Sequence, residues 1–123
     1  MKIIELFESF IQWPKILRSA KEISDYISSQ SSNYVDKEVI EEYFSGCQAV
    51  LEELPLESIR EGNPEANIRD KRKERKYTKL DIATMPPIVV ENGIIQDGNH
   101  RFRVAKAKGL NKILCYVVKE EEI

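Results

Sequence analysis

The chain is poor in the residues that build metal clusters and covalent frameworks. It has one histidine and two cysteines in 123 residues. Cys47 and Cys115 cannot make a dense disulfide framework, and the lack of a CxxC pair, a second histidine and a Cys/His cluster argues against a structural zinc site. Long apolar runs are also missing. A membrane-spanning helix needs roughly 20 predominantly apolar residues, and no stretch here approaches that, so no membrane association is expected. The opening MKIIELFESF carries Glu5 and Glu8 where a secretory signal needs an apolar core. With so few cysteines, the expected setting is reducing and cytoplasmic. Nor is there an excess of either charge: 19 Lys and Arg stand against 21 Asp and Glu, a net of -2. That excludes a globally basic wrapper of nucleic acid, though not a local basic patch. What remains, 41% hydrophobic and 33% charged residues, is the profile of a single soluble domain with a modest core.

The even total hides an uneven distribution. Residues 1–60 hold six basic and eleven acidic side chains, whereas residues 61–79 hold seven basic and four acidic. The basic run is Arg69, Lys71, Arg72, Lys73, Arg75, Lys76 and Lys79, with Tyr77 among them. Such a run suits a nucleic-acid backbone or the closure of a loop over a nucleotide. Its plain reading is a solvated helix salt-linked by Asp70 and Glu74.

Apolar spacing predicts three helices in the front half. Ile3, Ile4, Leu6, Phe7, Phe10 and Ile11 form the first stripe, which Trp13-Pro14 ends. A second helix is expected from about Lys15 to Gln30 on Ile16, Leu17, Ala20, Ile23 and Ile27, followed by a polar loop over 28–33. Asp36 is placed to cap the third, whose face would run through Val39, Ile40, Tyr43, Phe44, Cys47, Val50 and Leu51. The texture changes near Leu54. Pro55 and Leu56–Ile59 read as a short edge strand or extended entry, and Gly62-Asn63-Pro64 as a turn. Residues 65–80 are polar, with helical potential around Asp70–Tyr77. Ile88-Val89-Val90 is a strand, Glu91-Asn92-Gly93 a hairpin-like turn and Ile94-Ile95-Gln96 the return strand. A helix then reaches about Lys108, stopped by Gly109, and Ile113 to Val118 is a last strand.

The part that bears chemistry is the strand, turn and helix written IIQDGNHRFRVAKAKG. Gly98 permits a sharp turn, after which the first amides of the helix face the space beyond the strand and suit an anion. Arg101 adds a planar fork matched to phosphate oxygens. His100 can donate to phosphate or shuttle a proton. Asp97 can hold a divalent cation or orient a nucleophile, while Arg103 points to another face. Each residue alone has a plainer role: Asp97 or Asn99 as the helix N-cap, Gly98 for the turn only, His100 in packing, Arg101 as one more solvated cation.

Taken whole, MPPIVVENGIIQDGNHRFRVAKAKG resembles the core of the ParB/sulfiredoxin-like fold, which embraces ParB N-terminal domains, sulfiredoxins and ADP-dependent free serine kinases. The hallmark run is matched from Pro86 to Gly109. LPLESIREGNP resembles the strand and glutamate-bearing loop that precede that core, so the likeness covers about 54–118. It implies an α/β (α+β) domain over 53–123, a small mixed sheet with helices, preceded by an N-terminal helical segment over 1–52 packed on it.

Where sulfiredoxins carry a catalytic cysteine just before the His-Arg pair, this sequence has Asn99, which cannot serve as a thiolate nucleophile. Sulfiredoxin activity is therefore not expected. Chromosome partition is not expected either, since the motif has less arginine than ParB domains and the helices come first. The match to the serine kinases implies phosphate and metal binding by Asp97, Gly98 and His100, with Arg101 close to that scheme. Glu57, or second to it Glu61, would then act as base. The expected function is binding of a nucleotide (ATP, ADP or CTP) or another phosphorylated ligand. Asp97 would hold Mg, Gly98, Asn99, His100 and Arg101 would hold the phosphates, and the reaction would be phosphoryl transfer or nucleotide hydrolysis. Two alternatives stand beside it: a non-catalytic DNA- or protein-binding regulator that uses Arg69–Lys79, and a metal-dependent nuclease.

Overall fold

A computed structural model of the chain describes residues 13–30, 36–62 and 85–120. Its elements are β1 (Ile16–Leu17), α1 (Ala20–Gln30), α2 (Lys37–Tyr43), β2 (Cys47–Pro55), a 3-10 turn at Leu56–Ser58, β3 (Ile88–Glu91), β4 (Ile94–Asp97), α3 (Asn99–Ala107) and β5 (Lys112–Glu120). The strands form one mixed sheet in the order β1-β2-β5-β3-β4. Among the described strands β3 and β5 alone pair in parallel, because β4 and α3 together carry the chain from one to the other. The architecture is thus mixed α/β, a helical region followed by a small mixed sheet. Among the described residues no helix is long and apolar enough to cross a membrane. The expected first helix, over residues 3–11, lies outside the described residues, as does the basic run Arg69–Lys79.

Two helical expectations are corrected. Ile16 and Leu17 do not open a helix; they form β1, paired with Val50 and Ala49, and the Lys15 carbonyl accepts from the Leu51 amide at 2.9 Å. The helix begins later, where the Glu22 amide donates to Ser19 Oγ at 3.3 Å. Ser19-Ala20-Lys21-Glu22 has the spacing of a capping box, a start signal that the apolar stripe obscured. The polar residues 28–30 continue α1 and do not yet form a loop.

The second correction is larger. α2 is capped as expected, Asp36 Oδ1 accepting from the amides of Glu38 and Val39 at 3.0 and 3.3 Å, but it ends at Tyr43. Gly46 has φ +77°, a left-handed position that stops the helix. Cys47, Val50 and Leu51 then lie in β2, which pairs over nine residues with β5. Cys47 and Ala49 face inward, Gln48 and Val50 less so. Short apolar runs satisfy helical and strand periods alike, and the glycine decides between them. β2 also passes through residues 52 and 53, where the sequence suggested a division.

The sheet separates two cores. Ile23, Tyr26, Ile27 and Phe44 pack over Val89 and Tyr116 on one face, while Phe102 and Ala105 of α3 pack over Ile88, Val90, Ile95 and Cys115 on the other. β3 is covered on both faces, so its residues read as an unbroken apolar Ile-Val-Val. Leu56–Ile59 is not the edge strand or extended entry expected of it: Leu56–Ser58 form the 3-10 turn, and the chain becomes extended only from Ile59. The Arg60 amide donates to Gly93 O at 2.8 Å and Arg60 O accepts from Ile95 at 2.9 Å, which lays residues 59–62 along the outer edge of β4.

Candidate phosphate-binding turn

The site is set by the way β4 ends. The hairpin turns tightly at Asn92-Gly93 and brings β4 back against β3, but the register slips: Val90 faces Ile95 while Val89 faces Asp97. One extra residue, Gln96, is thereby accommodated as a bulge, which re-aims the side chains at the strand end. Gly98 follows with φ +108° and is the N-cap of α3, and no side chain caps that end. Neither Asp97 nor Asn99 takes the capping role considered for them.

Asn99 is buried and bonds a different element. Its Oδ1 accepts from the Gly62 amide at 3.3 Å and its Nδ2 donates to Gly62 O at 3.2 Å. Both backbone groups of Gly62 are met by one carboxamide, which ties the edge segment to the first turn of α3. Gly62 is required there by space, since a Cβ would lie 2.1 Å from Ile95 O.

Arg101 turns inward. It is 3% exposed; Nη1 donates to Pro86 O at 3.0 Å and Pro87 O at 2.8 Å, and Nη2 to Asp97 Oδ2 at 2.8 Å. The Tyr26 hydroxyl also donates to Pro87 O. Two successive prolines bring two carbonyls and no amide into a buried place, and buried acceptors need donors. Arg101 and Tyr26 supply them. Burial pushes the Tyr26 phenol above its ordinary value, with the Arg101 charge pulling the other way, so Tyr26 is a neutral donor. The guanidinium expected to face phosphate is committed to bracing the turn from within.

The carboxylates separate. Arg103 Nε lies 2.5 Å from Glu61 Oε1, so Glu61 reaches α3. Glu57 sits on the 3-10 turn beside Ser58, whose carbonyl is close to Gly93. That is the hairpin end of β4, about 13 Å along the strand from Asp97 at roughly 3.3 Å per residue. The structure therefore brings Asp97, Gly98, Asn99, His100 and Arg101 together, adds Glu61, and leaves Glu57 at the other end. Among the described residues no three His, Cys, Asp or Glu side chains converge on a possible metal position. Asp97 offers one carboxylate already paired with a cation, a donor set that does not fit a magnesium held by the protein alone.

No family model and no curated protein matches the chain. Among solved structures, it is similar to a sulfiredoxin. That protein, sulfiredoxin from Arabidopsis thaliana, shares 27% identity over 55% of this chain and 83% of its own, with a TM-score of 0.48.

Sequence reasoning missed Tyr26 and the carbonyls of Pro86 and Pro87. Only the Pro-Pro pair carried a signal, two acceptors without donors just ahead of a buried strand. The thiols are placed far from nucleophilic duty. Cys115 is wholly buried, its Sγ donates to Ile113 O at 3.4 Å, and burial pushes it up to about 12; burial raises Cys47 as well. We expect native protein at pH 8 to leave Cys115 unalkylated by iodoacetamide over an hour, with full labelling in urea, as read by mass spectrometry. Rapid native labelling would contradict this environment. The linkage has a definite sign: an unfolded thiol ionises near 9, so between pH 9 and 12 the unfolded chain binds fewer protons and stability falls as pH rises.

Proposed function

We propose that the β4–α3 turn binds the phosphate groups of a small ligand, with a nucleotide as the class best suited to it. The observation that carries this reading is the left-handed, side-chain-uncapped start of α3 at Gly98. Helix N-termini present amide donors and a partial positive charge to anions. A rigid surround makes such a turn useful, because donors held in place need no reordering on binding. Arg101 holds it from beneath through Asp97, Pro86 and Pro87, and Asn99 holds it from the side through Gly62. His100, half-buried in the first turn, is the side chain to which this reading assigns donation to a phosphate oxygen. Asp97 becomes a positioning residue that keeps Arg101 in its brace. Any magnesium would arrive on the phosphates of the nucleotide.

Sulfiredoxin chemistry is not proposed despite the likeness. The position before His100 holds Asn99, whose carboxamide is spent on Gly62, and both cysteines are buried. Titration of isotope-labelled protein with inorganic tripolyphosphate tests the binding reading. The amide resonances of Gly98, Asn99, His100 and Arg101 should move together and saturate, and His100→Ala should weaken binding about tenfold, the value of one hydrogen bond to a charged group. If those amides stay still while the anion is present in excess, the reading fails.

A further inference from the structure

The apolar side of α2 is only half used in packing. Phe44 is 3% exposed, yet Val39 and Tyr43 remain 60% and 62% exposed. Four residues apart, these two share one helix face, and exposed apolar surface rimmed by charge marks a place of interaction. Between α2 and the end of β4, on the opposite face of the sheet from α3, runs a cleft of about 390 Å³. Ile27, Ile40 and Phe44 form its buried side, Val39 and Tyr43 one lip, and Gln96 and Asp97 the other. The Tyr43 lip is held in place, its ring edge-on to Phe44 at 4.8 Å and its hydroxyl donating to Glu91 Oε1 at 3.3 Å.

The charge along this lip has one sign. Glu38 and Glu42 form a row directly beside the row of Val39 and Tyr43, and Glu91 stands at the hairpin end. Like charges four residues apart repel within a helix. Among the described residues nothing offsets that repulsion. The lysines of α1 and α2, Lys21 and Lys37, are both bound to Asp25, at 3.3 and 3.2 Å, and Arg101 is held by Asp97.

We propose that the groove between α2 and β4 docks a basic amphipathic helix of a partner protein, its apolar stripe in the cleft and its cations against Glu38, Glu42 and Glu91. The inference is independent of the phosphate-binding reading, which uses the amide end of α3. The groove is about as long as the seven-residue α2, roughly 10 Å at 1.5 Å per residue. That length takes two turns of a helix, whose anchors would fall at helical spacing. Charge selects this occupant over others. A second copy of the chain would bring two acidic lips together, and nucleic acid or an anionic lipid surface would meet the same repulsion. A helix with cations flanking its apolar stripe covers Val39 and Tyr43 and offsets the Glu38–Glu42 repulsion in one step.

The test is fluorescence anisotropy of a labelled Leu/Lys peptide titrated with the full chain. The peptide has about 14 residues, enough to hold a helix, with its leucines at helical spacing. Two controls accompany it: a Leu/Glu peptide of the same pattern, and a Leu/Lys peptide in which the two residues alternate as in a strand. The helical Leu/Lys peptide should bind at least about tenfold tighter than either control. The double variant Val39→Ser, Tyr43→Ser should weaken it at least about tenfold, the loss of two apolar anchors. The double variant Glu38→Gln, Glu42→Gln should weaken it about fivefold in about 0.05 M salt and match the wild type in about 1 M salt, where the charges are screened. All four side chains are exposed, so both variants should melt within about 5 °C of the wild type. Wild-type affinity in the serine variant overturns the proposal, as does equal binding of the Leu/Lys and Leu/Glu helices or binding of no peptide at all. Sedimentation reads the rival occupant: a wild-type dimer that the serine variant turns into a monomer assigns the face to a second copy and overturns the partner helix.

Discussion

Arg101→Ala should cost about 3 kcal/mol of stability and lower the melting temperature by about 10 °C, whatever it does to ligand binding. The side chain is almost wholly buried, and its three hydrogen bonds go to Pro86, Pro87 and Asp97. Alanine there removes the donors from a buried proline carbonyl and strips Asp97 of its counter-charge. Tyr26 still serves Pro87, and Asp97 is about one-fifth exposed, so water recovers part of the loss; hence the lower end of the range for a broken buried pair. Asp97→Asn should be milder, about 1 kcal/mol, because the carboxamide oxygen still accepts from Nη2 and only the charge is gone. Arg101→Lys should fall between them, keeping the charge but not the fork that reaches two elements. Urea unfolding of the three variants decides the order. A wild-type midpoint for Arg101→Ala, with phosphate affinity lost, would return the guanidinium to the ligand and remove it from the frame.

Arg101 also shows what the sequence could reveal and what it could not. The order strand, turn, strand, Asp-Gly, helix, glycine, strand is local information: Asn92-Gly93, Gly98 and Gly109 punctuate it, and each element between them is too short for a competing pattern. Asp36 was legible for the same reason, since a cap acts over three residues. The direction of the Arg101 side chain is not local. It depends on Pro86 and Pro87, 15 and 14 residues upstream, and on Tyr26 from a separate helix. In sequence a buried arginine and a phosphate-binding one look alike. The same holds for Glu57 and Glu61, which differ only in where residues 59–62 dock against β4. The front half was misread because its apolar residues fit two periods. Ile16 and Leu17 belong to a two-residue strand that exists only because Val50 and Ala49 stand opposite, and the apolar spacing of β2 fits a helix as well unless Gly46 acts as a stop and not as a weak point. The glycine could have been read; the partner strand could not.

The second large effect belongs to Gly98. At φ +108° any side chain is strained, which costs about 1–2 kcal/mol. Space adds to it: a Cβ would lie 2.5 Å from Ile88 Cγ2, 2.8 Å from Ile88 Cβ and 3.0 Å from Arg101 Nη2. Neither neighbour yields easily, since Ile88 is wholly buried and Arg101 is fastened at both ends. Gly98→Ala should therefore destabilise by about 3 kcal/mol or more, strain and overpacking together, and relieve itself by opening the turn. Opening parts Asp97 from Arg101 and re-aims the first amides of α3, so tripolyphosphate affinity should fall with the stability. Gly109 supplies the control. It too has positive φ, +74°, but nothing lies within 4 Å of its virtual Cβ, and Gly109→Ala should show the conformational part alone, about 1 kcal/mol. A second control removes the nearest obstacle: Ile88→Ala deletes Cγ2 and keeps Cβ, so in that background the cost of Gly98→Ala should shrink part of the way toward the Gly109 value, because neighbouring sites that share a clash are not additive. Equal costs for Gly98→Ala and Gly109→Ala would show that the turn is loose around Ile88. The rigidity that makes it a phosphate cradle would then have no basis.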